Sequence, residues 1–352
     1  MKPTHLILLS SILSFLLNCK LSAQFNDSLK IDYFGQTPQG KTAVVFAPDF
    51  ICTPGKFVQN CCFSPDGKEF VFVLHNKDWN HPAIMYTQYI NGQWSEPDTL
   101  FDYASTPYFS YDGKLLYCNK KGSSTRDIWV SKRVEKGWQE PVKVPFPVSS
   151  DNGNEFEVSE AANGTLYFSS NRPGGYGDMD IYRAELVNGN FTNVTNLGIP
   201  INSSSKDECP YIAPDESFMV FNDWKYNEKF AGNNLYISYK KEDNTWTNPK
   251  DLGSGLNTND LDIYPYITPD GKYLIYTRRS NIYPATFSQL YWVSIAILDS
   301  VKDANTAPYQ KIKISNDTLM VGEDYSLQLN RNTFFYDAEG DTLKSIATLK
   351  NN

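Results

Sequence analysis

Apolar and polar positions alternate with period two through most of this chain, in short runs broken by Pro, Gly, Asn and Asp. That pattern predicts half-buried β-strands and excludes a helical solenoid, whose apolar positions would recur every three to four residues. One turn recurs five times between such runs: Pro65-Asp66-Gly67-Lys68, Tyr111-Asp112-Gly113-Lys114, Ala162-Asn163-Gly164-Thr165, Pro214-Asp215-Glu216-Ser217 and Pro269-Asp270-Gly271-Lys272. Measured at the Asp or Asn, the steps are 46, 51, 52 and 55 residues. Pro presets φ, and Asp or Asn followed by Gly accepts the left-handed conformation, so each turn predicts a tight hairpin.

A second landmark keeps the same register, an aromatic in a short strand at Tyr86, Trp129, Tyr182, Tyr236 and Tyr291. In four copies Trp94, Trp138, Phe191 or Trp246 opens a further strand. Four antiparallel strands repeated at about 40 to 55 residues predict blades of a β-propeller, each burying the face its neighbour cannot bury alone. The fold class is therefore all-β, a five-bladed propeller over 24–299 with six blades as the alternative. Aromatics make up 14% of the chain, which suits wedge-shaped contacts between blades. The fifth repeat stops after its third strand, Leu290 to Leu298, and Lys41 to Pro48 supplies the candidate for the missing outer strand. Pairing the two would close the ring and remove an open edge.

Phe63-Ser64-Pro65-Asp66-Gly67-Lys68, Ile267-Thr268-Pro269-Asp270-Gly271-Lys272 and Phe168-Ser169-Ser170-Asn171-Arg172-Pro173-Gly174-Gly175 resemble the WD40-like propeller repeats named for their Pro-Asp turn (PD40, the TolB type). The likeness runs from about residue 30 to 300 and implies the fold; its motif is a turn, so it implies no chemistry. No α/β segment precedes the repeats here, so a role in the Tol system is not implied. Beyond a linker at 300–308, residues 309–352 resemble the first half of a cadherin-like, immunoglobulin-type module, with Val321-Gly322-Glu323-Asp324 and Phe334 to Asp341 carrying the likeness. A full module of that kind takes about 100 residues.

The amino terminus sets the compartment. Lys2, an apolar run from Leu6 to Leu17 and the small-residue site Leu21-Ser22-Ala23 predict a secretory signal peptide over 1–23. Cys19 is a candidate for lipid anchoring, although Asn18 stands where a lipoprotein site has a small residue. No window holds the roughly 20 apolar residues of a membrane span. The expectation is a secreted, periplasmic or cell-surface protein. A net charge of −8 without a basic stripe excludes nucleic acid as a partner. Cys52, Cys61, Cys62, Cys118 and Cys209 remain after cleavage, an odd number with no zinc spacing, and read as small buried hydrophobes with one disulfide left open among them.

In a propeller, loops entering the innermost strand share one face with loops joining the second strand to the third. Entering loops carry Glu155, Asp207, Glu208, Asp260 and Asp262; crossing loops carry Trp79, Arg126, Arg172, Asp178, Trp224, Arg278 and Arg279. Acids ringed by Arg and Trp suit a protein or polysaccharide ligand, so the ligand-binding candidates are Glu155, Glu208, Asp262, Arg172, Arg126, Trp79, Trp224, Arg278 and Arg279. The alternative function is a glycoside hydrolase or lyase using Glu155, Glu208 and Asp262 as channel-mouth carboxylates. Asp178 and Asp180 are weak calcium candidates, too few oxygens for a site by themselves. His75 and His81 flank Asp78 and read as surface residues. The chain has no Gly-x-Ser-x-Gly or His-Glu-x-x-His, and no cofactor is implied. The balance favours a binding or scaffolding module over an enzyme.

Overall fold

A computed structural model describes residues 25–37, 40–122, 125–224, 233–299 and 301. The signal-peptide segment with Cys19, most of the linker and the cadherin-like stretch 309–352 lie outside the described residues. The chain divides into two compact units, Met1–Asn305 and Thr306–Asn352, and all that follows concerns the first.

Apart from a short helical turn at 296–299, the described regular structure is β. The strands fall into five successive antiparallel repeats. Repeat one runs Phe57–Phe63, Glu69–His75 and Pro82–Ile90, with Gln93–Trp94 and Asp98–Asp102 along its outside. Repeat two runs Ala104–Phe109, Leu115–Lys121 and Arg126–Val134, edged by Gly137–Trp138 and Val142–Lys143. Repeat three is Glu155–Glu160, Leu166–Ser170, Asp180–Val187 and Asn190–Asn196; repeat four is Asp207–Ile212, Phe218–Asp223, Asn234–Tyr239 and Lys250–Asp251. Repeat five is Leu261–Ile267, Tyr273–Arg279 and Ser288–Ser294, and its fourth strand comes from the far end of the unit: Val44–Val45 pairs antiparallel with Trp292 and Tyr291. Each first strand touches the first strand of the next repeat, and that of repeat five touches that of repeat one. The fold is a β-propeller with the first strands innermost.

The turns owe their shape to their sequence. In repeat one Ser64 Oγ donates to Asp66 Oδ1 at 2.6 Å, the Lys68 amide donates to the same oxygen at 3.1 Å, and Gly67 takes φ +68°. Ser110 with Asp112 and Thr268 with Asp270 repeat the arrangement at 2.8 and 2.7 Å. Where repeat four lacks the glycine, Glu216 adopts φ +59° in its place.

Alternation along a strand sorts side chains between neighbouring repeats. In repeat three Leu166 and Phe168 pack with Tyr117 and Ile128 of repeat two, whereas Tyr167 between them packs with Ile212, Met219 and Phe221 of repeat four. Trp292, Phe63, Phe70 and Phe46, all fully buried, join repeats five and one to the amino-terminal segment. Each such side chain contributes about 1.5–3 kcal/mol on burial. Tyr33, from that segment, donates to Asp270 at 2.8 Å in the interior. All five described cysteines are buried and unpaired, so the odd thiol count leaves no disulfide among them.

Candidate functional site

The site begins with an irregularity shared by all five first strands. Each shifts register against its second strand at the same place, between Gln59 and Cys61, Ser105 and Tyr108, Phe156 and Val158, Glu208 and Tyr211, and Ile263 and Tyr266. The residue at each bulge is left-handed: Asn60 (φ 38°), Thr106 (48°), Glu157 (33°), Cys209 (55°) and Tyr264 (56°). Non-glycine residues adopt this conformation at a cost of about 1–2 kcal/mol each, and a bulge re-aims a side chain. Here the five bulged residues line one narrow cavity at the meeting of the first strands.

That neck opens into a cavity of about 930 Å³. Its lining mixes amides (Gln59, Asn60, Asn80, Asn119, Asn154, Asn171, Asn281), the aromatics Trp79, Trp224, Phe156, Tyr264 and Tyr283, the cations Arg126, Lys206 and Arg279, His75, and the acids Glu157 and Glu208. Trp79, itself at φ 57°, lies 4.6 Å from the His75 ring and 5.4 Å from that of Phe57, with the Arg279 guanidinium 5.2 Å above it. Trp224 donates from Nε1 to Glu208 at 2.8 Å, and Lys206 lies 5.6 Å over the same indole. Burial, then the charges of Arg279 and Arg126, push His75 down to about 4, so it is neutral at pH 7. Burial and the neighbouring Glu208 carboxylate push Glu157 up to about 8. Glu208 is raised by burial against the indole hydrogen bond and Lys206.

Five of the sequence-nominated residues therefore meet in this cavity: Glu208, Trp79, Trp224, Arg126 and Arg279. Four do not. Glu155 is fully buried, accepting from Ser150 Oγ at 2.7 Å, Ser170 Oγ at 3.0 Å and Arg172 at 3.1 Å. Arg172 is further held by the carbonyl oxygens of Pro147 and Val148. Asp262, also fully buried, accepts from Thr258 N at 2.7 Å and Arg278 Nε at 2.7 Å, and Arg278 continues to the Leu256 carbonyl. The two pairs pin the start of an inner strand to an arginine at or just beyond the end of the second strand, and the three proposed acids Glu155, Glu208 and Asp262 are not brought together.

Glu155, Glu208 and Asp262 do not stand at one equivalent position in their repeats. Asp207, not Glu208, occupies the position of Glu155 and Asp262: it is fully buried and accepts from the Ser203 amide at 2.6 Å. A one-residue offset turns a strand residue to the other face, which is why Glu208 looks into the cavity and its supposed counterparts do not. Asp180 accepts from the amides of Tyr176 (2.6 Å) and Gly177 (3.1 Å) and from Asn196, while Asp178 is exposed. Donors surround Asp180, an arrangement for an anion's needs and not a cation's. His75 lines the cavity instead of the surface, whereas His81 lies outside it, 3.0 Å from Asp102. Sequence reasoning passed over Glu157, Gln59, His75 and Asn119. The signal that finds the bulge is a Pro-Tyr pair at 107–108, 210–211 and 265–266, directly after the left-handed residue.

No family model and no curated protein matches the sequence. Among solved structures, similar chains include TolB from Acinetobacter baumannii (15% identity, TM-score 0.44, over 68% of this chain and 54% of that one). A TolB-type protein from Agrobacterium tumefaciens gives 15% identity and TM-score 0.46, over 69% and 78%. The α-L-arabinofuranosidase of Lactobacillus brevis gives 15% and 0.44, over 69% and 93%. The match thus spans about half the length of the Acinetobacter TolB. Among the described residues no helix is long and apolar enough to cross a membrane. What the strand order itself establishes is that this chain is a β-propeller protein.

Proposed function

We propose that this protein is a binding module acting outside the cytoplasm, a five-bladed propeller that takes a carbohydrate into the cavity over its axis. The signal-peptide pattern of residues 1–23 supports the compartment. The observation that carries the ligand class is the lining: tryptophans and amides interleave around one open cavity. Sugars present apolar C–H faces and rings of hydroxyls that both donate and accept. Indoles stack on the former, and amides, carrying both donor and acceptor, match the latter. Tyr283, 91% exposed at the rim, offers a further open ring. The test is a panel of plant, algal and host glycans against wild type and Trp79→Ala. Wild type should retain at least one glycan, with affinity falling at least about tenfold in the variant, a loss of ~1.4 kcal/mol. A wild type that retains none contradicts the carbohydrate reading.

One observation favours a second reading, a glycoside hydrolase or lyase. Glu157 and Glu208 both line the cavity, and Glu157, pushed up to about 8 by burial and then by the Glu208 carboxylate, keeps its proton at neutral pH. A protonated acid beside an ionised carboxylate is the pairing that glycosidic cleavage uses. On this reading the catalytic residues are Glu157 and Glu208. Sugar release by wild type, abolished in Glu157→Gln and in Glu208→Gln, would support it; release that survives both substitutions would remove it.

A further inference from the structure

We infer that the cavity is built for an acidic sugar, its carboxylate held by donors from repeats five, one and two and its hydroxyls by acceptors facing them from repeats three and four. The inference rests on the carbohydrate reading above and adds the charge of the ligand. Since repeat one touches repeats two and five, the repeats farthest from it around the ring are three and four.

The wall centred on repeat one holds buried donors without partners. Gln59 is 5% exposed, lines the cavity, and its Nε2 has no hydrogen-bond partner among the described residues. Trp79 Nε1 is likewise buried and unpaired. Arg279 from repeat five lies over the Trp79 ring, and Arg126 comes in from repeat two; neither guanidinium meets a carboxylate among the described residues. Burial, with the charges of Arg279 and Arg126 near it, keeps His75 neutral, a lining residue and not a third cation. Unpaired buried N–H groups in a wall that also carries two guanidiniums match an anion, and a guanidinium suits the planar fork of a carboxylate.

The facing wall has the opposite character. Glu157 Oε2, from repeat three, is buried without a hydrogen-bond partner among the described residues. Glu208, from repeat four, adds a second acceptor, with Lys206 beside it offsetting its charge. Hydroxyl hydrogens satisfy such acceptors. Charge points the same way: in a chain of net charge −8, this lining gathers Arg126, Lys206 and Arg279 against only Glu157 and Glu208. A cleft of one sign in a molecule of the other draws in ligands of the opposite charge.

The test is calorimetric titration of the full chain with short galacturonate, mannuronate and glucuronate oligosaccharides, their methyl esters and neutral oligosaccharides of the same length. At least one free acid should bind about tenfold or more tighter than its ester, the loss expected when one charge-assisted contact goes. Arg279→Gln and Arg126→Gln should each shrink the preference for acid over ester toward unity, and a preference unchanged in both variants would overturn the inference. Because both arginines lie at the cavity surface, thermal unfolding of the variants should match wild type and certify that they fold. Acid and ester binding equally well would overturn the inference while the carbohydrate reading stands. Binding of neither acid nor neutral sugar would overturn both.

Discussion

Arg278 donates from Nε to Asp262 at 2.7 Å, in a pair whose carboxylate is fully buried and whose guanidinium side chain is 15% exposed. Removing the arginine strands a buried charge, which costs about 3–5 kcal/mol. Arg278→Met should therefore lower the urea midpoint sharply, and adding Asp262→Leu should recover most of the loss. Arg126→Met, at an exposed position, should shift stability by less than about 0.5 kcal/mol. Equal effects at the two arginines would show that the Arg278–Asp262 pair does not hold the inner strand.

Closure of the ring from its amino-terminal side makes a separate prediction. Gly271 sits at φ +67° with Phe25 against it, and a methyl group there would lie 2.6 Å from the Phe25 ring. Gly174, at φ +94°, faces open space. Gly271→Ala should cost about 1–3 kcal/mol more than Gly174→Ala, the backbone penalty being common to both and the overpacking confined to the first. Equal urea midpoints for the two variants would place Phe25 away from the turn.

Stability should fall as pH rises through neutrality. The Glu157 carboxyl goes from 4.5, its ordinary value, to about 8 in the folded chain. Between those values the unfolded chain sheds a proton that the folded chain keeps, so folding weakens as pH climbs from about 4.5 to about 8. Glu160, pushed up to about 7, acts in the same direction. His75, lowered to about 4, has the opposite sign and weakens folding only as pH falls below its ordinary 6.5. Glu157→Gln should thus have a shallower fall in Tm between pH 5 and 8 than wild type. Parallel curves would mean that Glu157 ionises normally.

Burial pushes the thiols of Cys52, Cys62 and Cys118 up to about 12, and those of Cys61 and Cys209 well above their ordinary value. The thiolate is the reactive form. Native protein treated with iodoacetamide and mapped by peptide mass should be unmodified at all five, with labelling only as fast as unfolding. Modification of any of them at the rate of a free thiol would place it at the surface.

How legible these features were depends on whether they are local. The five turns were readable because Asp66, Asp112 and Asp270 bond within two residues of themselves and Gly67 needs its positive φ. The closing strand was readable because repeat five ended short and Val44–Val45 carried an unclaimed β pattern. Trp79, Trp224, Arg126 and Arg279 followed from loop position alone. The orientation of Glu155, Glu208 and Asp262 did not, since Asp207 and Glu208 are adjacent acids and choosing the wrong one of them turns the side chain to the other face of the strand. Likewise nothing in sequence spacing signals that Arg172 and Arg278 turn inward, because their carboxylate partners lie 17 and 16 positions away.

The most direct measurement of the central claim is a crystal structure of this chain with the tightest-binding oligosaccharide of the panel. A sugar seated over the bulged residues, its ring on Trp79 and its carboxylate between Arg126 and Arg279, is the predicted result. Density for the sugar at the Pro-Asp-Gly turns, or along the outer strands with the cavity unchanged, would contradict it.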